Sequence, residues 1–308
     1  MTEIQRVTPQ FLREHPLPEP EKEGDKKERG RVLVIAGSVE VPGAAVLAGL
    51  GALRAGAGVL RIATCRSSAA QLGIALPEAR VYGCSETKGG GIDPSNSPKL
   101  IELAQTADVV LVGPGMMDES AVEELVVALL NVKGPQFVLD AAAFTELRNH
   151  RDLFPRHRGD ITVTPHSGEM AKFLGCSREE VDADPLAAGR AAAHVVQGVV
   201  TVKGASTHIV SFEGEEWLSE HGTIGLATSG SGDTLAGILA GLLARGARAA
   251  LATAWSVYLH AEAGHRLAKR EGTFGFLAHE ILAEVPRIMA DFSKAALSCR
   301  RQRHEPGS

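Results

Sequence analysis

The feature that most limits the possible folds is an alternation of short, continuous apolar runs with longer helical stretches. Continuous apolar runs are typical of parallel strands that are buried on both faces. They span residues 31–36, 59–64, 107–112, 136–140, 161–164 and 199–202. Helical patterns span 44–55, 120–131, 185–197, 233–245, 248–269 and 278–292. A peripheral hairpin fits residues 208–212 and 216–218. Strands that alternate with helices in this way predict an α/β fold with a mostly parallel central sheet and helices on both faces.

The chain shows no composition shift that would divide this pattern into two domains. We therefore predict one domain over residues 31–293 of the 308. Residues 1–30 are rich in charge and contain proline, and we expect a solvated lead-in loop without a signal peptide. Residues 294–308 are expected to form a frayed basic tail.

Composition excludes several classes of function. The net charge of −5 and an aromatic content of 4% provide no platform for nucleic acid. No apolar run approaches the roughly 18 residues that a membrane span needs. Four cysteines without CxxC spacing favour the reducing cytoplasm and exclude a structural zinc site. His260 and His265 are five residues apart and do not share a helix face, so no metal ligands can be assigned.

The most informative loop is 227–237, where small residues run into a predicted helix. It has neither the Lys of a Walker loop nor the third glycine of a dinucleotide fingerprint. Amide groups at a helix N-terminus bind anions, and a carboxylate beside them, Asp233, is suited to take a proton from an attacking hydroxyl. Asp is also a common helix cap. From the spacing alone, a catalytic base and a cap are equally acceptable for Asp233.

Two further segments follow predicted strands. Lys203-Gly204-Ala205-Ser206-Thr207 could wrap a nucleotide, or it could be an ordinary hairpin turn. Thr164 is placed to cap a helix that has Glu169 in its first turns, and His166 would then stand at the carboxyl end of the strand.

Taken together, these segments resemble the NAD(P)H-hydrate dehydratases, from about Val32 to Phe292. The matching stretches, in order, are VLVIAGS, VPGAAVLAGLGALRAGAGV, GPG, VLDA, TPHSGEM, VTVKGAST, ATSGSGDTLAGILAGLLARG and LAHEILAEVP. The resemblance implies a ribokinase-like fold. It also implies that ADP or ATP phosphorylates the hydroxyl of the (S)-hydrate of NADH or NADPH, and that phosphate elimination then restores the dinucleotide. ADP would give AMP and phosphate.

The resemblance also implies roles for individual residues. Asp233 would be the catalytic residue and contact the hydrate, and Mg²⁺ would accompany the nucleotide. Positions that match the hydrate site are Ala45, Gly115 and His166, and those that match the nucleotide site are Lys203, Gly204, Ala205, Ser206, Thr207 and Gly232. Relatives commonly form homotetramers. Ser167 and Ser231 stand where the family usually has Pro and Thr, which leaves their local contacts open. No segment before Arg31 is long enough for the epimerase domain of many relatives, so we expect action on one epimer.

Two alternatives stay open at this stage. A small-molecule kinase of the same fold, acting on hydroxyethylthiazole or hydroxymethylpyrimidine, would share the GSGD loop but stop at phosphorylation. A non-catalytic nucleotide-binding regulator would also share the fold, although the presence of Asp233 argues against it.

Overall fold

The computed structural model describes residues 4–19 and 28–302 and forms one ten-stranded sheet from them. The strand order is β1-β10-β9-β8-β7-β6-β5-β2-β3-β4, and among these strands only β9 runs against the others. The strands are β1 (Gln5–Arg6), β2 (Arg31–Ile35), β3 (Val59–Cys65), β4 (Ala79–Cys84), β5 (Val109–Val112), β6 (Gln136–Leu139), β7 (Ile161–Val163), β8 (Val199–Val202), β9 (Thr207–Ser211) and β10 (Glu216–Ser219). The predicted parallel sheet with a peripheral hairpin is confirmed.

Helices cover both faces of this sheet, as the apolar runs predict. In β2, Val32 and Val34 belong to one core, whereas Leu33 and Ile35 belong to a second core on the opposite face. The helices are α1 (Pro9–Glu14), α2 (Gly43–Arg54), α3 (Arg66–Ala75), α4 (Ser97–Ala104), α5 (Glu119–Leu129), α6 (Ala142–Thr145), α7 (Ser167–Leu174), α8 (Arg178–Ala183), α9 (Pro185–Val196), α10 (Ser231–Ala244), α11 (Ala249–Glu271) and α12 (Ala278–Gln302).

The prediction of a solvated lead-in loop is wrong for residues 5–14. β1 pairs with β10, and the Thr8 hydroxyl caps α1 by accepting from the amide of Phe11. Phe11 and Leu12 are buried in the core, and the indole nitrogen of Trp255 donates to the carbonyl of His15. The physical reason is local: Pro at the first helical position and two adjacent apolar residues make a short helix that can dock. Residues 20–27 of the predicted lead-in lie outside the described residues.

The C-terminal helix is longer than predicted. The backbone of α12 continues to Gln302, so the expected tail from residue 294 starts as helix, and residues 303–308 lie outside the described residues. None of the helices in the described part of the chain is both long and apolar enough to cross a membrane.

The helix that leads from the GSGD loop, α10, packs against α2 at backbone distance. A Cβ added to Gly237 would lie 2.2 Å from the carbonyl oxygen of Ala48, and one added to Gly51 would lie 3.0 Å from the carbonyl oxygen of Thr234. Ala48 is fully buried. The Ala and Gly content of these helices therefore holds the first turn of α10 at a fixed distance from α2.

Gly237→Ala is expected to destabilise the fold by about 1–3 kcal/mol, because the new methyl group meets backbone that cannot rotate away. Gly73→Ala in α3 is the matched control, since its nearest neighbour would be a side-chain methyl 3.8 Å away. The control should be stabilised by about 0.5–1 kcal/mol, as for glycine in a helix. Urea unfolding of the two variants measures both effects, and equal midpoints would contradict the packing argument.

Candidate functional site

Five adjacent parallel strands, β2, β5, β6, β7 and β8, end at the same edge of the sheet and bring their following loops together. The amide of Gly37 donates to the carbonyl of Pro114, and the amide of Lys203 donates to that of Pro165, both at 2.8 Å. A cleft of about 720 Å³ opens beside these loops and the start of α10. Six of the predicted site residues line it: His166, Lys203, Gly204, Ala205, Thr207 and Gly232.

A buried ion cluster lies at this edge around the ammonium of Lys203. Its Nζ is 3.1 Å from Oδ1 of Asp140 and 4.0 Å from Oε2 of Glu169. The Asp140 carboxylate is only 4% exposed, and Oδ1 also accepts from the hydroxyl of Thr164 at 2.7 Å. Burial disfavours the charge of Lys203, but the two carboxylates outweigh it and raise the pKa of Lys203 above its usual value. The ammonium therefore stays charged next to the cleft.

Asp233 is a third carboxylate whose charge interacts with this cluster. Burial and the nearby charge of Asp140 raise the pKa of Asp233 to about 6, against an opposing effect of Lys203. Burial likewise raises the pKa of Glu169. A carboxyl group with a pKa near the operating pH is well matched to general-base catalysis. Asp233 follows Gly232 directly but is not itself a lining residue of the cleft.

The start of α10 offers backbone donors at the same place. Gly230 is the N-cap in a left-handed conformation, φ 83°, and no side chain caps the helix. Within residues 4–19 and 28–302, the amides of Gly232 and Asp233 have no acceptor in the hydrogen bonds of the loop or helix. The interpretation of Asp233 as a helix cap is therefore wrong, because its carboxylate lies past the cap position. The free amides and the helix dipole favour an anion here.

His166, not Thr164, caps α7. Nδ1 of His166 accepts from the amides of Gly168 and Glu169 at 3.0 and 3.3 Å, and the Glu169 side chain accepts from the amide of His166 in return. The predicted cap, Thr164, is 1% exposed because its hydroxyl turns inward to Asp140. The side chain of His166 is 59% exposed and faces the cleft beside Lys203.

Ala45 and Gly115 form a separate group at the start of α2. A Cβ on Gly115 would meet Ala44 at 2.4 Å, and Gly113 in the same loop lies against the carbonyl of Asp140. Ala45 is fully buried, so its side chain has no free surface. Neither Ala45, Gly115 nor Ser206 lines the cleft. Of the predicted hydrate positions, His166 thus lines the cleft, whereas Ala45 and Gly115 lie outside it.

Sequence reasoning missed three polar side chains at this site: Asp140, Glu169 and His260. Asp140 ends a predicted strand, and Glu169 lies in the TPHSGE stretch, so each carried a positional signal. His260 was considered only as a zinc ligand, and no group of three or more metal-ligating side chains occurs in the described ranges. Instead, Nε2 of His260 contacts Ser231 at the start of α10.

Comparison with known proteins decides what these residues belong to. The family model described as NAD(P)H-hydrate dehydratase matches residues 32–287. The chain belongs to the NAD(P)H-hydrate dehydratase family. The ADP-dependent (S)-NAD(P)H-hydrate dehydratase of Xanthomonas campestris pv. campestris is 44% identical over 291 residues, which cover 93% of this chain and 96% of the relative.

Solved structures of similar proteins agree with this family. A ribokinase-like superfamily protein from Enterococcus faecalis superposes with a TM-score of 0.81 at 25% identity and covers 95% of this chain and 97% of its own. The ADP/ATP-dependent NAD(P)H-hydrate dehydratase of Bacillus subtilis, co-crystallised with ATP/Mg²⁺, gives 0.78 at 27% identity, with 95% and 100% covered. The predicted ribokinase-like fold is confirmed, and the dehydratase is favoured over the small-molecule kinase.

Proposed function

We propose that this NAD(P)H-hydrate dehydratase returns the (S)-hydrates of NADH and NADPH to the intact dinucleotides, with ADP as the phosphate donor. The observation that carries this proposal is the carboxylate of Asp233, which is not used to cap α10. Asp233 lies in the first turn of α10, its pKa is raised to about 6, and its charge interacts with that of Lys203. Such a set of groups is suited to moving a proton off a hydroxyl while a phosphoryl group is transferred to it.

The first step is attack of the hydrate's hydroxyl oxygen on the terminal phosphorus. Asp233 accepts the hydroxyl proton, the new O–P bond forms, and the bond between the terminal phosphorus and its bridging oxygen breaks to release AMP when ADP is used. The C–O bond to the phosphate then breaks, and its electron pair leaves with the phosphate. The adjacent ring carbon loses a proton to solvent, and the electrons of that C–H bond form the ring double bond. Because this transfer needs positioning and charge stabilisation rather than covalent help, the free amides of α10 and the ammonium of Lys203 supply the main contribution.

The nucleotide is assigned to the cleft. Lys203, Gly204, Ala205 and Thr207 line one wall, and Gly232 lies opposite, where a Cβ would be 3.5 Å from the Lys203 ammonium. The backbone of Gly232 and the Lys203 ammonium are therefore close enough to contact the same phosphate group. Ser206 lies in the same loop, so it is assigned to the nucleotide through its backbone.

Mg²⁺ is an implied companion of the nucleotide, and the residues present fit it. In phosphoryl-transfer sites, one or two carboxylates together with phosphate oxygens are sufficient protein and substrate ligands. Burial, together with the charge of Asp140, raises the pKa of Glu169 and disfavours its charged form, which a cation would stabilise. We assign Glu169 as the carboxylate that would hold the ion. When bound, Mg²⁺ would neutralise charge on the phosphates.

The experiment that tests this function uses chemically hydrated NADH, Mg²⁺ and either ADP or ATP. Recovery of the near-ultraviolet absorbance of NADH, with equimolar AMP and phosphate when ADP is supplied, is the expected result. Omission of nucleotide is the control and should give no recovery. A phosphorylated hydrate that accumulates without NADH would indicate a kinase instead, and consumption of the (R)-epimer would contradict the stated specificity.

We assign His166, Ala45 and Gly115 to the hydrate site, and a substitution of His166 tests this assignment. His166→Ala should raise the KM for hydrate by about 10-fold, as expected for one lost contact of about 1.4 kcal/mol, with the affinity for ADP unchanged. The variant also loses its helix cap, worth about 0.5–2 kcal/mol. His166→Asn restores the cap and should recover stability but not KM. Recovery of both in the Asn variant would show that His166 acts only as a cap.

The assembly and location of the protein are proposals of the same kind. We infer a homotetramer, supported by the family resemblance. We also infer a cytoplasmic location, supported by Cys65, Cys84 and Cys176, which are free thiols in the structure. Exposed apolar side chains, including Ile74, Phe274 and Leu277, offer surface for association. Light scattering at micromolar concentration determines the mass.

A further inference from the structure

His260 occupies a position that the proposed function has not yet used. It lies in the middle of α11, 9% exposed, at the wall of the cleft and behind the first turn of α10. Its Nε2 atom is 3.0 Å from the carbonyl oxygen of Ser231 and 3.0 Å from the hydroxyl oxygen of the same residue. One imidazole nitrogen thus contacts both oxygens of the residue that precedes Gly232.

The geometry determines where the protons lie. A carbonyl oxygen only accepts, so Nε2 of His260 must carry a proton. Burial lowers the pKa of His260 to about 4, assisted by the charge of Lys203, so the ring is neutral at pH 7. A protonated Nε2 cannot accept from the Ser231 hydroxyl, whose own proton is therefore turned away from the ring. Ser231 lines the cleft, so that proton is available to an acceptor in the cleft.

The carbonyl of Ser231 is held from a second side as well. The hydroxyl of Thr234 donates to it at 2.7 Å, and Thr234 is fully buried. With two donors on this carbonyl, the peptide plane between Ser231 and Gly232 is fixed. The amide of Gly232 belongs to that plane, and it is one of the free amides at the start of α10.

We propose that His260 is a positioning residue for the nucleotide's terminal phosphate. It fixes the Ser231 carbonyl, aims the Gly232 amide into the cleft and turns the Ser231 hydroxyl to donate to a phosphate oxygen. This inference rests on the proposed function, because it requires a phosphate at the start of α10. It assigns a purpose to the hydroxyl at Ser231, a position where the chain departs from the usual Thr of its family.

The test measures ADP affinity in the presence of Mg²⁺ by calorimetry. His260→Leu removes the donor and keeps the bulk, and ADP binding should weaken by about 10-fold, or 1.4 kcal/mol. His260→Gln retains an N–H donor and should stay within about 3-fold of the wild type. Ser231→Ala should weaken binding, and the double variant with His260→Leu should lose less than the product of the two single losses, because the residues act as one unit.

His157→Leu is the matched control. His157 is also buried, and its Nε2 contacts the carbonyl of Leu130 at 2.7 Å, but it lies before β7 at the opposite edge of the sheet. It reports what the loss of a buried histidine–carbonyl bond does to stability, and its ADP affinity should equal that of the wild type. A melting temperature lowered equally in both Leu variants, with ADP affinity lowered only in His260→Leu, supports positioning.

Two results would overturn the proposal. The first is wild-type ADP affinity in a folded His260→Leu, and the second is a loss in His260→Gln as large as in His260→Leu. If His260→Leu does not fold, wild-type affinity in Ser231→Ala overturns it, whereas retained affinity in His260→Gln with a loss in Ser231→Ala supports it. Absence of ADP binding by the wild type would refute the proposed function, and this inference with it.

Discussion

Replacing Asp233 by Asn is expected to reduce turnover of NADH hydrate by about 10²–10⁴-fold, the usual effect of losing a general base. The amide has the size of the carboxylate but cannot accept the hydroxyl proton. ADP should still bind, and more tightly, because one negative charge near the phosphates is removed. Steady-state rates and calorimetry on the same preparation measure both, and wild-type turnover would rule out Asp233 as the base.

The pH dependence of stability also distinguishes Asp233→Asn from the wild type. The folded-state pKa of Asp233 is raised to about 6 from a usual 3.8, so the native state binds this proton more tightly than the unfolded state. The wild type therefore gains stability from this group as the pH falls from 6 towards 4, and Asp233→Asn should melt at a higher temperature than the wild type at pH 8. The rate of the wild type should fall below about pH 6, as the base becomes protonated.

Asp184→Asn is the control for these effects. Asp184 caps α9 by accepting from the amide of Ala187 at 2.9 Å, and it does not line the cleft. Asn caps a helix about as well as Asp. This variant should keep its turnover and its pH profile, so a parallel loss in both variants would indicate a general effect of removing acidic groups.

Lys203→Met is expected to have the second largest effect. It leaves the buried carboxylates of Asp140 and Glu169 without their cation, and such a loss costs about 3–5 kcal/mol of unfolding free energy. Turnover should fall by at least about 10²-fold, as for removal of a donor that stabilises a charged transition state. Since Lys203 lowers the pKa of Asp233, the inflection in any remaining activity should move above pH 6.

Lys172 provides the matched control for this prediction. Its ammonium also bridges two carboxylates, Glu119 and Glu146, at 2.8 and 2.7 Å, but the side chain is 43% exposed. Pairs of this kind contribute about 0–1 kcal/mol each. Lys172→Met should unfold in urea nearly as the wild type does and retain its activity. A Lys203→Met variant that behaved the same way would show that the buried cluster contributes little.

The buried strands were predictable because their environment leaves a clear pattern. β2, β5, β6, β7 and β8 are apolar in almost every position, since helices cover both of their faces. β4 was missed because only Cys84 in it is buried, and an edge strand of mixed polarity carries no such run. In α3, Leu72 is the one buried residue, so its helical period is weak. The short β1 carries no signal before its partner is known.

The sequence predicts those residues of the site that stand next to a recognisable strand or loop, but not the contacts between them. Lys203 and His166 follow strands, and Asp233 follows the glycines of a loop, so their positions were visible. The ion pair between Lys203 and Asp140 joins residues 63 positions apart. The pKa of Asp233 is raised by burial and by the charge of Asp140, and both arise only in the folded chain. Whether Thr164 or His166 caps α7 depends on where β7 ends, which is at Val163. Local sequence does not determine that boundary.

The pairing of β1 with β10 has a consequence for the order of events during synthesis. Gln5 pairs with Trp217, roughly 200 residues later in the chain. At about 5–20 residues per second, a ribosome needs on the order of 10–40 s to produce the partner strand. Phe11 and Leu12, which end up buried, are exposed on the nascent chain throughout that interval. The segment that contains β1 is therefore among the last to fold, and chaperones have time to engage it.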